Sequence, residues 1–348
     1  MPTAPSHQGP PPPASSGVLR YACSRTRRQG LVTVNKPVRH ALLVGAVAAV
    51  ALAMAPGPVA ADAGADEARS RALVEQLIRA SGADVAVAFR TLDDPAGAPP
   101  RLELLIQPDT TFHAASTMKV PVMIELFRRV RLGDLRLDDR LPIRNEFRSI
   151  VDGSPYALGV GDDSDADVYK QIGRDMAYRD LCEAMITVSS NFATNVLIDQ
   201  LGAPAIQQTV RDLGADGMNV LRGVEDNKAF AAGLNNATTA RALMVLLERI
   251  ARLEAVDADS SRQMIEILKR QTFNDAIPAG LPPGTPVGHK TGSITRIHHD
   301  AAIVFAMRPF VLVVLVRGLD DLKQSAALMA SIARTLYEEA ERDVPSRP

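Results

Sequence analysis

The sequence predicts an α+β fold in which one antiparallel sheet is built from both ends of the chain, is flanked by terminal helices, and has an all-helical lobe inserted between its two halves. Three observations predict it. Strand-like apolar runs occur near the start of the folded part, at 84–91 and 102–106, and again near its end. Helical periodicity fills the interval between them. A helical pattern also precedes the first strand and follows the last one. The late strands are expected at 288–292, 301–307 and 310–317.

Apolar residues that recur every three to four positions predict the helices, because such positions share one helix face. The segment 145–170 is rich in Gly, Asp, Ser and Pro, so we expect a long surface excursion there. Residues 213–236 are expected to be mostly loop, and the Pro/Gly-rich segment 278–288 is expected to be a linker. The expected helices lie at 66–80, 117–132, 178–186, 191–201, 203–212, 237–253, 261–270 and 322–340.

The composition allows a packed core and excludes several classes of protein. Apolar residues make up 46% of the 348 residues and charged residues 23%, which is typical of a globular chain. The 39 basic and 40 acidic side chains give a net charge of −1, so we expect no nucleic-acid partner. Two cysteines cannot form a disulfide framework or a four-thiolate metal site.

Residues 1–61 form a basic leader with six basic side chains and no acidic one. A short basic region precedes the uncharged run 41–55, and small residues follow around Ala61 and Ala63. This order is typical of a secretory signal peptide, and the run is shorter than the about 20 residues of a membrane span. We expect cleavage after Ala61 or Ala63, a location in the periplasm or outside the cell, no membrane span after processing, and one folded domain over 62–348. An uncleaved anchor and a buried helix are the alternatives.

Ser116 and Lys119 are the first residues whose spacing indicates catalysis. If a helix starts near Thr117, the two side chains lie one turn apart on the same face. A serine hydroxyl becomes a good nucleophile only when a base takes its proton. A lysine amine can be that base if burial or a neighbouring cation lowers its pKa. The pattern Ser-x-x-Lys alone is also common by chance.

Two further motifs carry polar groups at element ends. Ser189 and Asn191 lie in a helix–helix turn, where a hydroxyl can transfer a proton and an amide can hold a carbonyl; capping of the next helix by Ser189 or Ser190 is the alternative. Lys290 to Ser293 lie on an expected strand, where Lys290 supplies a charge and Gly292 allows close approach of a ligand. A phosphate-binding loop is excluded because His289, and not glycine, precedes the lysine.

The order Ser-x-x-Lys, Ser-x-Asn, Lys-Thr-Gly makes the three motifs specific together. In this order the chain resembles the serine penicillin-recognising enzymes, and most closely the class A β-lactamases. The resemblance covers about 66–340, including the flanking segments 112–125 and 181–195. It implies the β-lactamase/transpeptidase-like version of the expected fold, and makes 62–348 a serine hydrolase domain of that type.

The resemblance also implies a role for each matching residue. Ser116 would be the acylated nucleophile, Lys119 its proton acceptor or relay, and Ser189 the group that passes the proton to the β-lactam nitrogen. The implied substrate-binding groups are Asn191 for the side-chain amide, Lys290 and Thr291 for the carboxylate, and the backbone N–H groups of Ser116 and Ser293 for the oxyanion.

The match is weaker in the loop 222–236, which must supply the base for hydrolysis of the acyl-enzyme. Glu225 is the best candidate for this base, and Asp226 is the next one to test. Relatives usually have an Asn four residues beyond the Glu, where this chain has Ala229, and an Asp that pairs with the loop arginine, where it has Asn236. We therefore expect the loop to be held differently. The second motif has Ser190 where Asp is usual, and Arg296 and His298 are candidates for additional support of the substrate carboxylate.

The leading hypothesis is an exported serine β-lactamase that acts on a small-molecule β-lactam without a cofactor. A cell-wall D-alanyl peptidase or related acyl-transferase or esterase is the first alternative, and a non-hydrolytic β-lactam-binding protein is the second. The His298, His299 and Asp300 run matches no standard zinc spacing, so no metal is expected. We expect a monomer.

Overall fold

The computed structural model describes residues 58–94 and 100–342, with side chains from Gly64 onward. The apolar run of the expected signal peptide, at 41–55, lies outside these residues. In the described part of the chain, no helix is both long enough and apolar enough to cross a bilayer.

Nine α-helices lie within the described residues: α1 (Pro58–Ser81), α2 (Lys119–Leu132), α3 (Tyr178–Thr187), α4 (Asn191–Leu201), α5 (Ala203–Asp212), α6 (Asn227–Ala231), α7 (Ala240–Ala251), α8 (Ala258–Lys269) and α9 (Leu322–Glu341). The strands are β1 (Asp84–Thr91), β2 (Glu103–Ile106), β3 (Phe112–His113), β4 (Arg140–Pro142), β5 (Phe147–Arg148), β6 (Pro155–Tyr156), β7 (Asp175–Ala177), β8 (Ala237–Thr238), β9 (Val287–Ile294), β10 (Ile297–Val304) and β11 (Phe310–Arg317).

The main sheet has five antiparallel strands in the order β2-β1-β11-β10-β9. β1 comes from the start of the folded part of the chain and β11 from near its end. The two strands are neighbours in the sheet, where Asp84 lies opposite Arg317. The predicted α+β class is therefore confirmed, including the sheet built from both ends of the chain.

Both faces of the sheet are buried, which explains the continuous apolar sequence of β11. Successive side chains of a strand point to opposite faces. In β1, Val85, Val87 and Phe89 pack in the cluster that contains the apolar sides of α1 and α9. Ala86 and Ala88 pack in the other cluster, which extends through the helical lobe. Each large apolar side chain buried in this way stabilises the fold by about 1.5–3 kcal/mol.

Several expected boundaries were wrong. β10 begins at Ile297 and not at 301, because His298, His299 and Asp300 are polar but buried inside the sheet. The helix expected at 237–253 begins at Ala240, and the two residues expected at its start form β8, which pairs with β3.

The helical lobe packs on one face of the sheet, where α7 contacts β1, β10 and β11, and α8 contacts β9. α2 contacts α3, α4, α5 and α8, so it is the centre of the lobe. The segment 145–170 contains β5 and β6 and two short 3₁₀ turns. Three elements meet at one cleft: the amino end of α2, the turn between α3 and α4, and strand β9. Each of them carries one of the three motifs.

Candidate active site

Ser116 lies in a 3₁₀ turn, Ala115–Met118, directly before α2. The α-helix expected from near Thr117 thus begins at Lys119 instead. Ala115 has a left-handed φ of 45°, and its N–H donates to His113 Nδ1 at 3.0 Å. Ser116 is half-buried and borders two cavities of about 400 and 380 Å³.

Lys119 is fully buried. Its Nζ donates to Ser189 O at 2.7 Å, to Ser189 Oγ at 3.2 Å and to Asn191 Oδ1 at 2.8 Å. Burial lowers the pKa of this amine to about 7, while the charges of Asp163 and Glu225 act in the opposite direction. A neutral amine is therefore accessible near pH 7. In the described residues, Ser116 Oγ is not among the hydrogen-bond partners of Nζ, so the amine contacts the second motif and not the first.

Ser189 joins the two lysines. Its Oγ accepts from Lys290 Nζ at 3.0 Å as well as from Lys119. Its φ of 58° is left-handed, a conformation that a serine adopts only at a cost of about 1–3 kcal/mol. The capping role weighed for Ser189 or Ser190 belongs to Ser190, whose Oγ accepts from Ala193 N at 3.2 Å at the start of α4.

Asn191 connects Lys119 with Glu225. Its Oδ1 accepts from Lys119, and its Nδ2 donates to Glu225 Oε1 at 3.4 Å and to Asp162 O at 3.5 Å. Glu225 has a left-handed φ of 58° and an exposed side chain at the cavity mouth. Desolvation, followed by the charge of Asp162, raises the pKa of Glu225, whereas Arg222 and Lys119 lower it. A carboxylate of raised basicity at this point can accept a proton from a water molecule.

Strand β9 carries the third motif along the cleft. Lys290 is fully buried, and its Nζ also donates to Thr291 O at 2.8 Å. Burial and the charge of Lys119 lower its pKa well below the usual value, while Asp300 acts in the opposite direction. A Cβ on Gly292 would lie 2.8 Å from Ser116 N. Only glycine therefore lets β9 approach the backbone of Ser116 so closely. Ser293 is exposed at the cavity wall.

The loop that carries Glu225 is held without an Arg–Asp ion pair. Asn236 Oδ1 accepts from Leu221 N at 2.8 Å and from Arg222 N at 3.2 Å, and its Nδ2 donates to Arg222 O at 2.9 Å. The buried Arg222 guanidinium donates to Leu234 O, Gly223 O and Asn235 Oδ1. The loop is thus closed at its neck by hydrogen bonds to uncharged acceptors.

Asp226 is a structural residue of this loop. Its carboxylate is buried and accepts from Ser149 Oγ at 2.9 Å, Ile150 N at 3.0 Å and Ala229 N at 3.1 Å. Burial alone raises the pKa of a carboxyl, but these hydrogen bonds hold the pKa of Asp226 below its usual value. A carboxylate used in this way is a poor base, so Glu225 remains the candidate.

The two candidates for extra carboxylate support differ in position. Arg296 points away from the cleft, because its guanidinium donates to Gly318 O at 2.7 Å and lies 3.3 Å from Asp320. His298 borders the 380 Å³ cavity, and its buried Nδ1 has no hydrogen-bond partner among the described residues. Only His298 can face a substrate.

His299 and Asp300, which follow His298 on β10, use their polar atoms in hydrogen bonds to other residues of the protein. His299 donates from Nε2 to His113 O and accepts from Val316 N. Asp300 pairs with His289 Nδ1 at 3.0 Å. Across the described ranges, no three His, Cys, Asp or Glu residues are placed to hold a metal ion together.

Sequence reasoning missed two residues that organise the site. Asn195 donates to Val224 O at 2.9 Å and accepts from Val224 N at 2.7 Å, which fixes the residue before Glu225. Asp163 accepts from the backbone at the start of α4. Asn195 lies one turn beyond Asn191 on α4, a spacing that could have indicated it. No local signal distinguishes Asp163 from the other aspartates of the excursion.

Comparisons with known proteins identify the family and the fold. A family model described as "Beta-lactamase enzyme family" matches residues 69–340. A β-lactamase from Bacillus licheniformis is 27% identical over 239 residues, which span 67% of this chain and 73% of that protein. The ancestral (GNCA) class A β-lactamase has a TM-score of 0.65 at 27% identity, and the alignment covers 77% of this chain and 99% of that one. The structure of PBP-A has a TM-score of 0.64 at 26% identity, with 78% and 96% covered.

Proposed function

The chain belongs to the β-lactamase enzyme family, and on that premise we propose that it hydrolyses the β-lactam amide through an acyl-enzyme on Ser116. The observation that carries the proposal is the position of Ser189 Oγ, 3.2 Å from Lys119 Nζ and 3.0 Å from Lys290 Nζ, at a cleft bordered by Ser116. A nucleophile, a base and a proton donor around one substrate position are what acyl transfer needs, and these contacts support that assignment.

These contacts support the following acylation step, for which Ser116 Oγ has to come within hydrogen-bond reach of Lys119 Nζ. The neutral amine of Lys119 accepts the proton of Ser116 as Oγ attacks the lactam carbonyl carbon. The proton then passes from Lys119 through Ser189 Oγ to the lactam nitrogen, and the C–N bond breaks. The N–H groups of Ser116 and Ser293 stabilise the oxyanion. Lys290 and Thr291 bind the carboxylate.

Deacylation is proposed for Glu225. Its carboxylate takes a proton from a water molecule, and the water oxygen attacks the ester carbon. The Ser116 Oγ–carbonyl bond then breaks as that proton passes from Glu225 to Oγ, which restores the serine hydroxyl and the Glu225 carboxylate. The Asn191 amide, which contacts Glu225 Oε1 at 3.4 Å, orients the carboxylate and also holds the amide of the substrate side chain.

The experiment that tests this function follows turnover of a chromogenic cephalosporin by the full chain, together with its intact mass. We expect sustained turnover in the wild type. Glu225→Gln should lose turnover and accumulate an acyl adduct. Glu254→Gln, which changes an exposed glutamate paired with Arg249, is the matched control and should behave as the wild type does. A stable adduct on the wild type would instead support a non-hydrolytic β-lactam-binding protein.

A D-alanyl peptidase or related acyl-transferase or esterase is the second candidate. One observation favours it: Ala229, one turn beyond Glu225, offers only a methyl group, so no side-chain amide there holds a hydrolytic water. Release of D-alanine from a stem-peptide mimic, with no β-lactam turnover, would support this candidate.

We also propose that the protein is exported to the periplasm or out of the cell and acts as a monomer. The basic leader and its apolar run support export. Intact mass of the secreted or periplasmic protein would show whether cleavage occurs after Ala61 or Ala63. Light scattering of the purified protein would test the monomer.

A further inference from the structure

One turn of the surface excursion crosses the amino end of α4. Ser164 Oγ donates to Val188 O at 2.6 Å, directly before the second motif. Asp162 O accepts from Asn191 Nδ2 at 3.5 Å. Between these two residues, the carboxylate of Asp163 points into the α4 amino end. The excursion therefore contacts the segment that contains Ser189 and Asn191.

The Asp163 carboxylate provides hydrogen-bond acceptors that α4 lacks on its own. The first N–H groups of a helix have no partner inside it. Ser190 Oγ accepts from Ala193 N. Asp163 Oδ1 accepts from Asn191 N at 2.8 Å, and Asp163 Oδ2 accepts from Phe192 N at 2.8 Å. An anion at this end of a helix also interacts favourably with the helix dipole.

We propose that Asp163 is a positioning residue for the hydrolysis proposed above: by holding the backbone of Asn191, it fixes the amide that contacts Lys119 and Glu225. The inference rests on that function. Ser190, which precedes Asn191, is itself held by its hydrogen bond at the start of α4. The side chains of Asp163 and Ser190 together therefore determine the direction in which the Asn191 amide leaves the helix.

Asp163 also contributes charge to the site. Its negative charge opposes the lowering of the Lys119 pKa, and it raises the pKa of Glu225. Tyr169 Oη donates to Asp163 Oδ2 at 3.3 Å, and burial followed by this carboxylate raises the pKa of Tyr169, so the phenol stays a donor. Among the described residues, the titratable groups around Asp163 are Lys119, Glu225, Tyr169, Asp162 and Asp165, whose backbone N–H donates to Asp163 Oδ1 at 3.3 Å.

A helix cap with no influence on the reaction is the alternative, and pH separates the two. Loss of the Asp163 charge should lower the pKa values of both Lys119 and Glu225. Each group works in its deprotonated form. The acid limb of the kcat/KM profile, which Lys119 sets through acylation, and that of the deacylation rate, which Glu225 sets, should therefore both move to lower pH. A cap that acts only on stability would lower activity at every pH without moving the limb.

The test compares Asp163→Asn with Asp167→Asn. Asp167 belongs to the same excursion, but its carboxylate pairs with Lys170 at 2.6 Å. The asparagine at 163 keeps one acceptor and loses the charge, so the fold should survive. We expect kcat/KM at pH 7 to fall on the order of 10-fold or more in D163N, since misplacement away from the chemistry is costly. The acid limb should shift to lower pH in D163N, and D167N should match the wild type in both.

Amide hydrogen exchange of the free protein gives a readout that needs no substrate. Asn191 and Phe192 should exchange faster in D163N and unchanged in D167N. If the wild type does not turn over β-lactams, the proposed function fails, while exchange still tests the contact. An unmoved acid limb in an active D163N, or unchanged exchange at Asn191, would overturn the role of Asp163.

Discussion

Lys290 Nζ lies 3.0 Å from Ser189 Oγ, so a strand residue from the end of the chain and a turn residue from its middle share one hydrogen bond. The same hydroxyl accepts from Lys119. The Ser189 hydroxyl therefore lies between the buried amines of Lys119 and Lys290, whose positive charges repel each other.

Replacing Ser189 by alanine removes this shared acceptor. We expect acylation to slow by about 100-fold, which is within the range for loss of a positioned proton-transfer group. Rapid-quench mass spectrometry of the acyl adduct measures this step directly. Ser331→Ala, on the exposed side of α9, is a control for a lost hydroxyl. Acylation at the wild-type rate in S189A would exclude this proton path.

The acylation rate should rise with pH through about 7, the pKa to which burial lowers Lys119. The sign follows from the role of the amine, which accepts a proton only when it is neutral. Lys119→Arg should abolish the reaction, because a guanidinium stays charged in this range. Lys228→Arg, which changes an exposed lysine paired with Asp152, should leave the profile intact. The profile is measured as kcat/KM between pH 5 and 9, a range of about two units either side; a flat profile would contradict Lys119 as base.

Gly292→Ala should reduce both stability and activity. The new Cβ would lie 2.8 Å from Ser116 N and 2.9 Å from Thr117 N, so the strand or the turn must move. We expect a stability loss of about 1–3 kcal/mol and a kcat loss of about 100-fold through the displaced oxyanion donors. Gly288→Ala on the same strand meets the Leu268 side chain instead, and it should affect stability more than kcat. Urea unfolding and steady-state kinetics measure the two effects, and an active G292A would exclude the oxyanion hole at this position.

Asn236→Ala should loosen the loop at its neck. It leaves the N–H groups of Leu221 and Arg222 without their side-chain acceptor, and we expect a stability loss of about 1–3 kcal/mol. Since Glu225 lies on this loop, deacylation should slow more than acylation. The acylated fraction at steady state, measured by intact mass, should therefore rise. Asn235→Ala, which removes one contact to the Arg222 side chain, is the milder comparison. An unchanged acylated fraction in N236A would show that the neck of the loop does not influence deacylation.

The sequence predicted the family and the enzyme class, a class A-like serine β-lactamase, and the comparisons confirm both. The predictions succeeded where a local pattern determines the structure, as in the apolar run of β11 or the helix that begins at Asn191. The roles assigned to the site residues remain predictions, although the structure brings the three motifs to one cleft.

The failures have a common physical cause. The start of β10 was missed because buried His299 and Asp300 have their polar atoms satisfied by residues distant in sequence, His113 and His289. Asp163 was missed for the same reason, since its partners lie 28 and 29 positions away. Contacts of this kind leave no periodic trace in the sequence.

In the described ranges, six non-glycine residues have a left-handed φ. Three of them, Ala115, Ser189 and Glu225, lie in or beside the three parts of the candidate site. Glycine would adopt this φ without strain, although it loses more conformational entropy on folding than any other residue. At Ser189 and Glu225 a glycine would remove the side chain that is proposed to react. Heat-adapted descendants of this protein should therefore acquire their stabilising changes elsewhere.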